Sequence, residues 1–351
     1  MPLLPDQLDD FTTLTLDNFK KKSWVDLSLD NQHHCFASKF LSGKARTPYQ
    51  GGGHLNWKVQ TTNTGTAKFS ELYSVDATAV KDLMTTAKVP FTKATVNFSY
   101  DVDEQSFQSD RETIIREIDI RRHSAFNDYF ELMESALWSS PSSDSESPRT
   151  PLGIPFWIQK SATTPGGAFT GGDPSGHSSG AANINVADVP NWKNWSGNYT
   201  SVSRDDLIAK MRKAIAHTYF QAPKQFAELG GGKGDSDWAF YTTYSVVEDM
   251  EKLLESRNDN LGVDLAKYAG SVVVKGNPVI WVPYLDSNDS SNPIYGVNHK
   301  VLQYHYKKGK DMMWHPPQKA ARQHTTREVH MDSWGQFICL NRRRLFVLYV
   351  A

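Results

Sequence analysis

The sequence has 351 residues, 39 % hydrophobic and 22 % charged, which is enough apolar content for a sizeable core and excludes a disordered tail. Its 38 Lys and Arg nearly balance 39 Asp and Glu, for a formal charge of -1, which argues against affinity gained by neutralising many phosphates. Cys35 and Cys339 lie far apart among apolar residues and read as reduced, buried thiols of a cytoplasmic product. MPLLPDQLDDF lacks the regions of a signal peptide, and no apolar run nears the ~18 residues of a membrane span.

Residues 1–42 are mixed and polar, with short clusters such as Trp24, Val25 and Leu27, and read as an extended arm with a turn or two of helix. In GKARTPYQGGGHLNWKVQTT, Leu55, Trp57 and Val59 alternate with polar neighbours, a strand signal. VPFTKATVNFSYDV repeats it at Ala94, Val96, Phe98 and Tyr100. Together they predict a projecting antiparallel hairpin with a polar, glycine-rich outer half. SDRETIIREIDIRRHSAFNDYFELMESALWSS then predicts the dominant helix, with Ser109 and Glu112 as a capping box. Ile114, Ile118, Ala125, Phe126, Tyr129, Leu132, Met133, Ala136 and Leu137 fall largely on one face. Thirty residues of helix reach about 45 Å, the length of a spine.

From Ser139 to about Thr200 the chain is rich in Ser, Pro and Gly, a long irregular segment. A compact α/β pattern follows. Ser203 and Asp206 open a helix carrying Leu207, Ile208, Met211, Ile215 and Tyr219; DWAFYTTYS is a strand; Ser245 and Glu248 form a second capping box. SVVVKGNPVIWVPYL predicts two strands joined at Lys275–Pro278, and QFICLNRRRLFVLYV a final hairpin turning at Asn341–Arg344.

Chemical motifs are few. GHSSG at 176–180 matches the pattern that exposes a serine nucleophile, but a nucleophile elbow needs an apolar strand before it and a helix after it. GAFTGGDPS and GAANINVADVP supply neither, so Ser178 reads as a loop residue. GGGKGD at 230–235 fails the phosphate-loop pattern, with Ala227 and Gly234 where Gly and Ser or Thr are required. His33, His34 and Cys35 are consecutive, and His315, His324 and His330 lack helical spacing or a Cys pair, so no metal site is expected. Arg342, Arg343 and Arg344 read as a solvated turn or an interface cluster.

An arm, a projecting hairpin, a very long helix and a compact α/β part leave backbone and aromatic surface that only neighbouring copies would cover. This order of elements resembles the major capsid proteins of tailed bacteriophages, the Johnson-fold shell proteins. RTPYQGGGHLNWKV and AKVPFTKATVNFSYDVDE resemble the two sides of that family's extended loop; RETIIREIDIRRHSAFNDYFELMESALW resembles its spine helix, with TPLGIPFWI after it. GSVVVKGNPVIWVPYL and NPIYGVNHKVLQYHY resemble strands of its axial domain.

The resemblance implies an α+β fold divided into an N-terminal arm (1–42), an extended loop (43–88), a peripheral domain (89–200) with a spine helix at about 109–139, an axial domain (201–325) and a return hairpin (326–351). It implies a structural protein that assembles with itself as hexamers and pentamers into an icosahedral shell around double-stranded DNA, without sequence-specific DNA binding. The extended loop would lie over a neighbour, with Tyr49, Gly52, His54, Trp57 and Lys58 as contacts and Tyr49 and Trp57 as anchors. No catalytic residue, cofactor, metal or membrane is implied. The location is the virion capsid, after synthesis in the host cytoplasm; the arm leaves no room for a scaffolding region before it, so a separate scaffolding protein or none is implied, with portal and decoration proteins as further partners. The alternatives are a serine hydrolase using Ser178, or another phage assembly protein such as a tail or decoration component.

Overall fold

The structure, a computed structural model, describes residues 35–41, 45–72, 81–103, 111–163, 165–218, 237–255, 272–321 and 323–350. The chain divides into a smaller unit built on Thr95–Glu131 and Met312–Asp332 and a larger one built on His33–Ala94, Leu132–Asp311 and Ser333–Ala351.

In the larger unit the described chain begins with a single π-helical turn, Phe36–Leu41. Phe36 and Phe40 are fully buried and meet Phe337 edge-on at 5.9 and 5.3 Å. The helical turn expected in the arm therefore forms as part of the core. β1 (Arg46–Tyr49) runs parallel to β11 (Leu302–Lys307). β2 (His54–Gln60) and β3 (Met84–Pro90) form a separate antiparallel ribbon. The expected alternation holds in β2, where Leu55 is buried, Trp57 and Val59 are half-buried and their neighbours are exposed.

The pairing partner of β2 differs from expectation. The ribbon returns through β3, and the strand read at Ala94, Val96, Phe98 and Tyr100 is β4 (Thr92–Asp101), which pairs with β14 (Thr326–Cys339) instead. Pro90, lacking an N–H, closes the ribbon ladder and separates the two strands.

The long helix α1 spans Arg111–Leu137. Ser109 of the expected capping box lies outside the described residues. Ala125, Tyr129, Met133, Ala136 and Leu137 are buried as predicted. Leu132 is instead 51 % exposed, because at ~100° per residue it falls on the rim of the stripe beside exposed Asp128. The helix end is packed by Gly153, whose Cβ, if present, would lie 2.2 Å from Ser139 O and 2.5 Å from Ala136 O. The short helix α2 (Ile154–Trp157) follows.

A seven-stranded mixed sheet organises the larger unit. β5 (Ala168–Gly171), β6 (Asn194–Tyr199), β7 (Trp238–Thr242), β8 (Val273–Val274), β9 (Asn277–Trp281), β10 (Ile294–Asn298) and β15 (Phe346–Val350) lie in the order β5-β6-β15-β10-β7-β9-β8. Helix α3 (Ala209–Thr218) is preceded by a π turn that Ser203 caps, its hydroxyl accepting from Asp206 N at 3.1 Å. Helix α4 (Tyr244–Glu255) links the parallel pair β7 and β9; it begins one residue before Ser245, with the Tyr244 amide held by Asp286 Oδ1 at 2.8 Å. A short helix α5 (Pro283–Asn288) precedes β10. Leu207, Met211, Ile215, Val246 and Met250 pack from the helices onto Trp195, Phe240, Val279 and Phe346 of the sheet. The hairpin predicted at Lys275–Pro278 forms between β8 and β9, with Lys275 (φ 50°) and Gly276 (φ 79°) in a primed turn.

The predicted terminal hairpin does not form. β14 pairs with β11, whereas β15 inserts between β6 and β10 of the seven-stranded sheet. A 3₁₀ turn at Arg342–Arg344 carries the chain from one sheet to the other. In β14 the last five residues are buried without alternation, as expected for a strand covered on both faces, so a period-2 pattern was absent where the hairpin was read.

In the smaller unit β12 (Met313–Trp314) and β13 (Gln318–Lys319) pair with β14. Trp314 is the hub there, with Phe98 at 5.7 Å, Phe126 at 5.3 Å and the Arg122 guanidinium 5.1 Å above its ring.

Both cysteines are free and buried. Burial pushes the Cys339 thiol up to about 12 although Arg342 beside it favours the thiolate, and burial and Glu134 raise Cys35 well above its ordinary value. His299 Nε2 and the Tyr241 hydroxyl share a hydrogen bond at 2.6 Å, and burial lowers the imidazole from 6.5 to about 4.

Gly153→Ala is expected to destabilise the protein by about 1–3 kcal/mol through overpacking on the helix end, read as the midpoint of urea unfolding; an unchanged midpoint would refute that packing. His299 stays neutral in the fold but charges in the unfolded chain, so stability is expected to fall as pH drops from 6.5 towards 4, by up to about 3 kcal/mol. His299→Gln should flatten that slope, and an equally steep slope in the variant would assign the loss elsewhere.

Candidate functional site

Of the residues predicted to make contacts, His54, Trp57 and Lys58 lie on β2 of the ribbon, Gly52 in the link before it and Tyr49 at the end of β1. Gly51 and Gly52 turn the chain at φ 93° and 70°, left-handed conformations that glycine adopts freely. Gly52, His54 and Lys58 are exposed, whereas Tyr49 and Trp57 are half-buried. Those two aromatics pack within their own chain: Tyr49 lies 5.9 Å from Phe91 and Trp57 6.5 Å from Trp157, around a small core of Leu55, Phe91 and Ile338. Beyond β2 the chain is exposed from residue 62 to 72, and Phe69 and Leu72 stand 108 % and 89 % exposed. Sequence periodicity missed both, because a lone Phe and a lone Leu in a polar stretch carry no pattern.

At the base of the ribbon a half-open cleft of about 390 Å³ lies among β3, the 141–150 loop and the 177–183 loop. His177 holds the first loop in place: its Nδ1 lies 2.5 Å from Asp144 Oδ1 and its Nε2 3.3 Å from the Pro141 carbonyl. Phe156 packs edge-on at 4.9 Å. Gly176 admits no side chain, since a Cβ would sit 1.9 Å from Ser142 O. Ala182 and Asn183 both adopt positive φ, 59° and 61°, in a tight turn tied to the ribbon by Lys88 N donating to Ala182 O at 2.9 Å. An alanine held there stores roughly 1 kcal/mol or more.

Ser178 is exposed on a turn, with β5 ending at Gly171 and no helix behind it. No elbow is built, and both nitrogens of the adjacent imidazole face oxygens other than a serine hydroxyl. GGGKGD lies outside the described residues, as do His33 and His34. His315 pairs with Asp332 at 3.1 Å and His330 with Glu328 at 3.6 Å. Among the described residues no cluster of His, Cys, Asp and Glu could hold a metal ion, and no helix is long and apolar enough to cross a membrane.

No protein-family model matches the sequence, and no curated protein matches it. Solved structures do. The capsid asymmetric unit of cyanophage A-1(L) superposes with a TM-score of 0.55 at 11 % identity, over 86 % of this chain and 89 % of that one. The capsid of an empty GTA particle gives 0.53 at 11 %, over 93 % and 100 %. The capsid of Myoviridae phage XM1 gives 0.53 at 9 %, over 96 % and 99 %. The chain has the tailed-phage capsid fold.

Within this capsid fold Arg342 corrects the sequence reading most sharply. The expected solvated arginine is 0 % exposed. Its Nε donates to Trp157 O at 2.9 Å, Nη1 to Trp192 O at 3.0 Å, and Nη2 to Gly172 O at 2.7 Å and Asn194 Oδ1 at 3.3 Å. Burial lowers it to about 10 against the pull of Cys339 and Asp173, so it stays charged at neutral pH. The planar guanidinium holds five donors in a rigid fork, spread wide enough to answer carbonyls from separate segments, where an ammonium gathers three donors on one nitrogen. Arg343, by contrast, lies over the Phe169 ring at 4.3 Å and bonds Asn191 at 2.8 Å.

Arg342→Met is expected to cost about 3 kcal/mol or more by stranding buried carbonyls, and Arg343→Met less than about 1 kcal/mol. Equal effects of the two in chemical denaturation would contradict the clamp.

Proposed function

We propose that this chain is a structural building block of a virus shell, assembling with copies of itself as pentamers and hexamers into an icosahedral container for double-stranded DNA. The observation that carries the reading is the likeness in fold to phage capsid subunits over nearly the whole of both chains, 96 % and 99 % for the XM1 capsid. Near-neutral charge suits a container that packs DNA without gripping it. The role is mechanical rather than catalytic, the location is the virion after synthesis in host cytoplasm, and portal, decoration and any scaffolding proteins are its further partners. We retain the division into arm, extended loop, peripheral domain, axial domain and C-terminal return as the functional anatomy, with the final strand returning to the seven-stranded sheet.

Of the proposed contacts, Gly52, His54 and Lys58 are free to meet a neighbour, whereas Tyr49 and Trp57 shape the ribbon from within. Phe69 and Leu72 add apolar surface that none of the described residues covers and that a neighbour would. Replacing both with serine is expected to leave thermal unfolding unchanged, because neither packs against the described residues, and to abolish closed shells in negative-stain electron microscopy. Shells of normal size and yield from that variant would remove the loop tip from the assembly mechanism.

A further inference from the structure

The turn at Phe36–Leu41 closes over a layer of buried ionisable side chains. A single turn is too short to hold itself by backbone bonds, so its contacts with the rest of the larger unit must fasten it. Phe36 N donates to Glu134 Oε2 at 2.7 Å, and Glu134 Oε1 takes Trp138 Nε1 at 2.8 Å. Phe36 meets Tyr304 edge-on at 5.3 Å, and Phe40 lies edge-on to His299 at 5.1 Å. Both phenylalanines and Tyr241 are fully buried, and His299 is 3 % exposed. The imidazole thus lies between Phe40 on one side and the Tyr241 ring of β7, edge-on at 5.8 Å, on the other.

One nitrogen of that ring, Nε2, shares the 2.6 Å bond with the Tyr241 hydroxyl. The other, Nδ1, is buried with no hydrogen-bond partner among the described residues. A protonated ring carries an N–H on both nitrogens, so the added proton would be buried without an acceptor. The ionisable groups around it do not relieve this. Burial keeps Tyr241 and Cys35 in their neutral forms. Asp237, before β7, favours a charged ring, Lys39 on the turn opposes it, and desolvation outweighs both. Glu134 already answers Phe36 and Trp138. We propose that Phe36–Leu41 is an acid-released latch, closed over a neutral His299 and opening ahead of the rest of the fold when that ring takes a proton. The opening stays local because the contacts it breaks belong to the turn. The strand that delivers His299, β10, keeps its ladders with β7 and β15.

The two native cysteines supply the test. Cys35 adjoins the turn and is 2 % exposed, whereas Cys339 is 0 % exposed at the end of β14. The full chain is treated with a dipyridyl disulfide, which modifies thiols even in mild acid. Mass spectrometry follows each cysteine, and each rate is divided by that of the urea-unfolded chain at the same pH. An opened turn gives the imidazole its ordinary value of 6.5, against about 4 when closed, so closure is full above 6.5 and weakens as pH falls towards 4. Opening at Cys35 is expected to rise about tenfold per pH unit between about pH 6 and 5. Cys35 should react at least about tenfold faster than Cys339 throughout. His299→Gln should flatten the rise, whereas Phe40→Ala, which removes no ionisable group, should speed Cys35 at every pH and keep the slope. Equal rates at the two cysteines would make the opening global. A Cys35 rate indifferent to pH would show that no proton drives it, and a slope preserved in His299→Gln would place the titrating group elsewhere. Each of these overturns the proposal, and the first two need only the wild-type chain, whatever the variants do to folding.

Discussion

A guanidinium that makes no salt bridge among the described residues, bonded instead to the carbonyls of Trp157, Trp192 and Gly172 and to the Asn194 side chain, sits where the chain crosses between two sheets. Those acceptors come from the segment after the long helix, from the loop after β5 and from the approach to β6. Removing water from a charge is costly unless every donor is answered by an oriented dipole. The surrounding loops are therefore constrained to present their carbonyls inward, and an irregular stretch of some sixty residues acquires one geometry. Asn194 extends the constraint, its Nδ2 donating to Gln159 O at 3.0 Å and its Oδ1 accepting from Gln159 N at 3.0 Å. The cleft and its strained turn are built on that ordered crossover.

The same logic recurs where the long helix ends. Glu134 is buried, and its carboxylate accepts from Phe36 N at 2.7 Å and Trp138 Nε1 at 2.8 Å. One acidic residue thereby ties the described start of the chain to the helix terminus. Trp138 then packs against Tyr241 and Tyr295 of the seven-stranded sheet, at 5.3 and 6.1 Å. Polar groups with fixed directions select the arrangement, and aromatic area supplies much of the driving force.

Legibility in the sequence followed physical periodicity. The helix through Ala125, Tyr129 and Met133, the strand through Leu55 and the Lys275-Gly276 turn repeat with a period or carry a turn residue that leaves little choice. The pairing of β2 was misread because alternation marks a strand without naming its partner, and the deciding mark was Pro90. Arg342 was misread because a run of three arginines looks the same in sequence whether its first member points in or out; only the carbonyls of distant loops distinguish it. The cleft was invisible for a related reason, since Lys88, Asp144 and His177 belong to separate loops and strands. The capsid-like order of elements was legible because it depends on which elements exist and in what order, and the misread pairings left that order intact.

The two cysteines carry a practical consequence. Cys339 is 0 % and Cys35 2 % exposed, and burial disfavours the thiolate at both, so neither offers a nucleophile to an electrophilic reagent in the folded chain. Such burial slows reaction of both thiols with maleimides and iodoacetamides. A single cysteine introduced at an exposed position of the 62–72 loop or the ribbon face would then be the sole reactive thiol among the described residues. Dyes, spin labels or gold clusters could be attached there without first stripping the native cysteines from a core that packs around them.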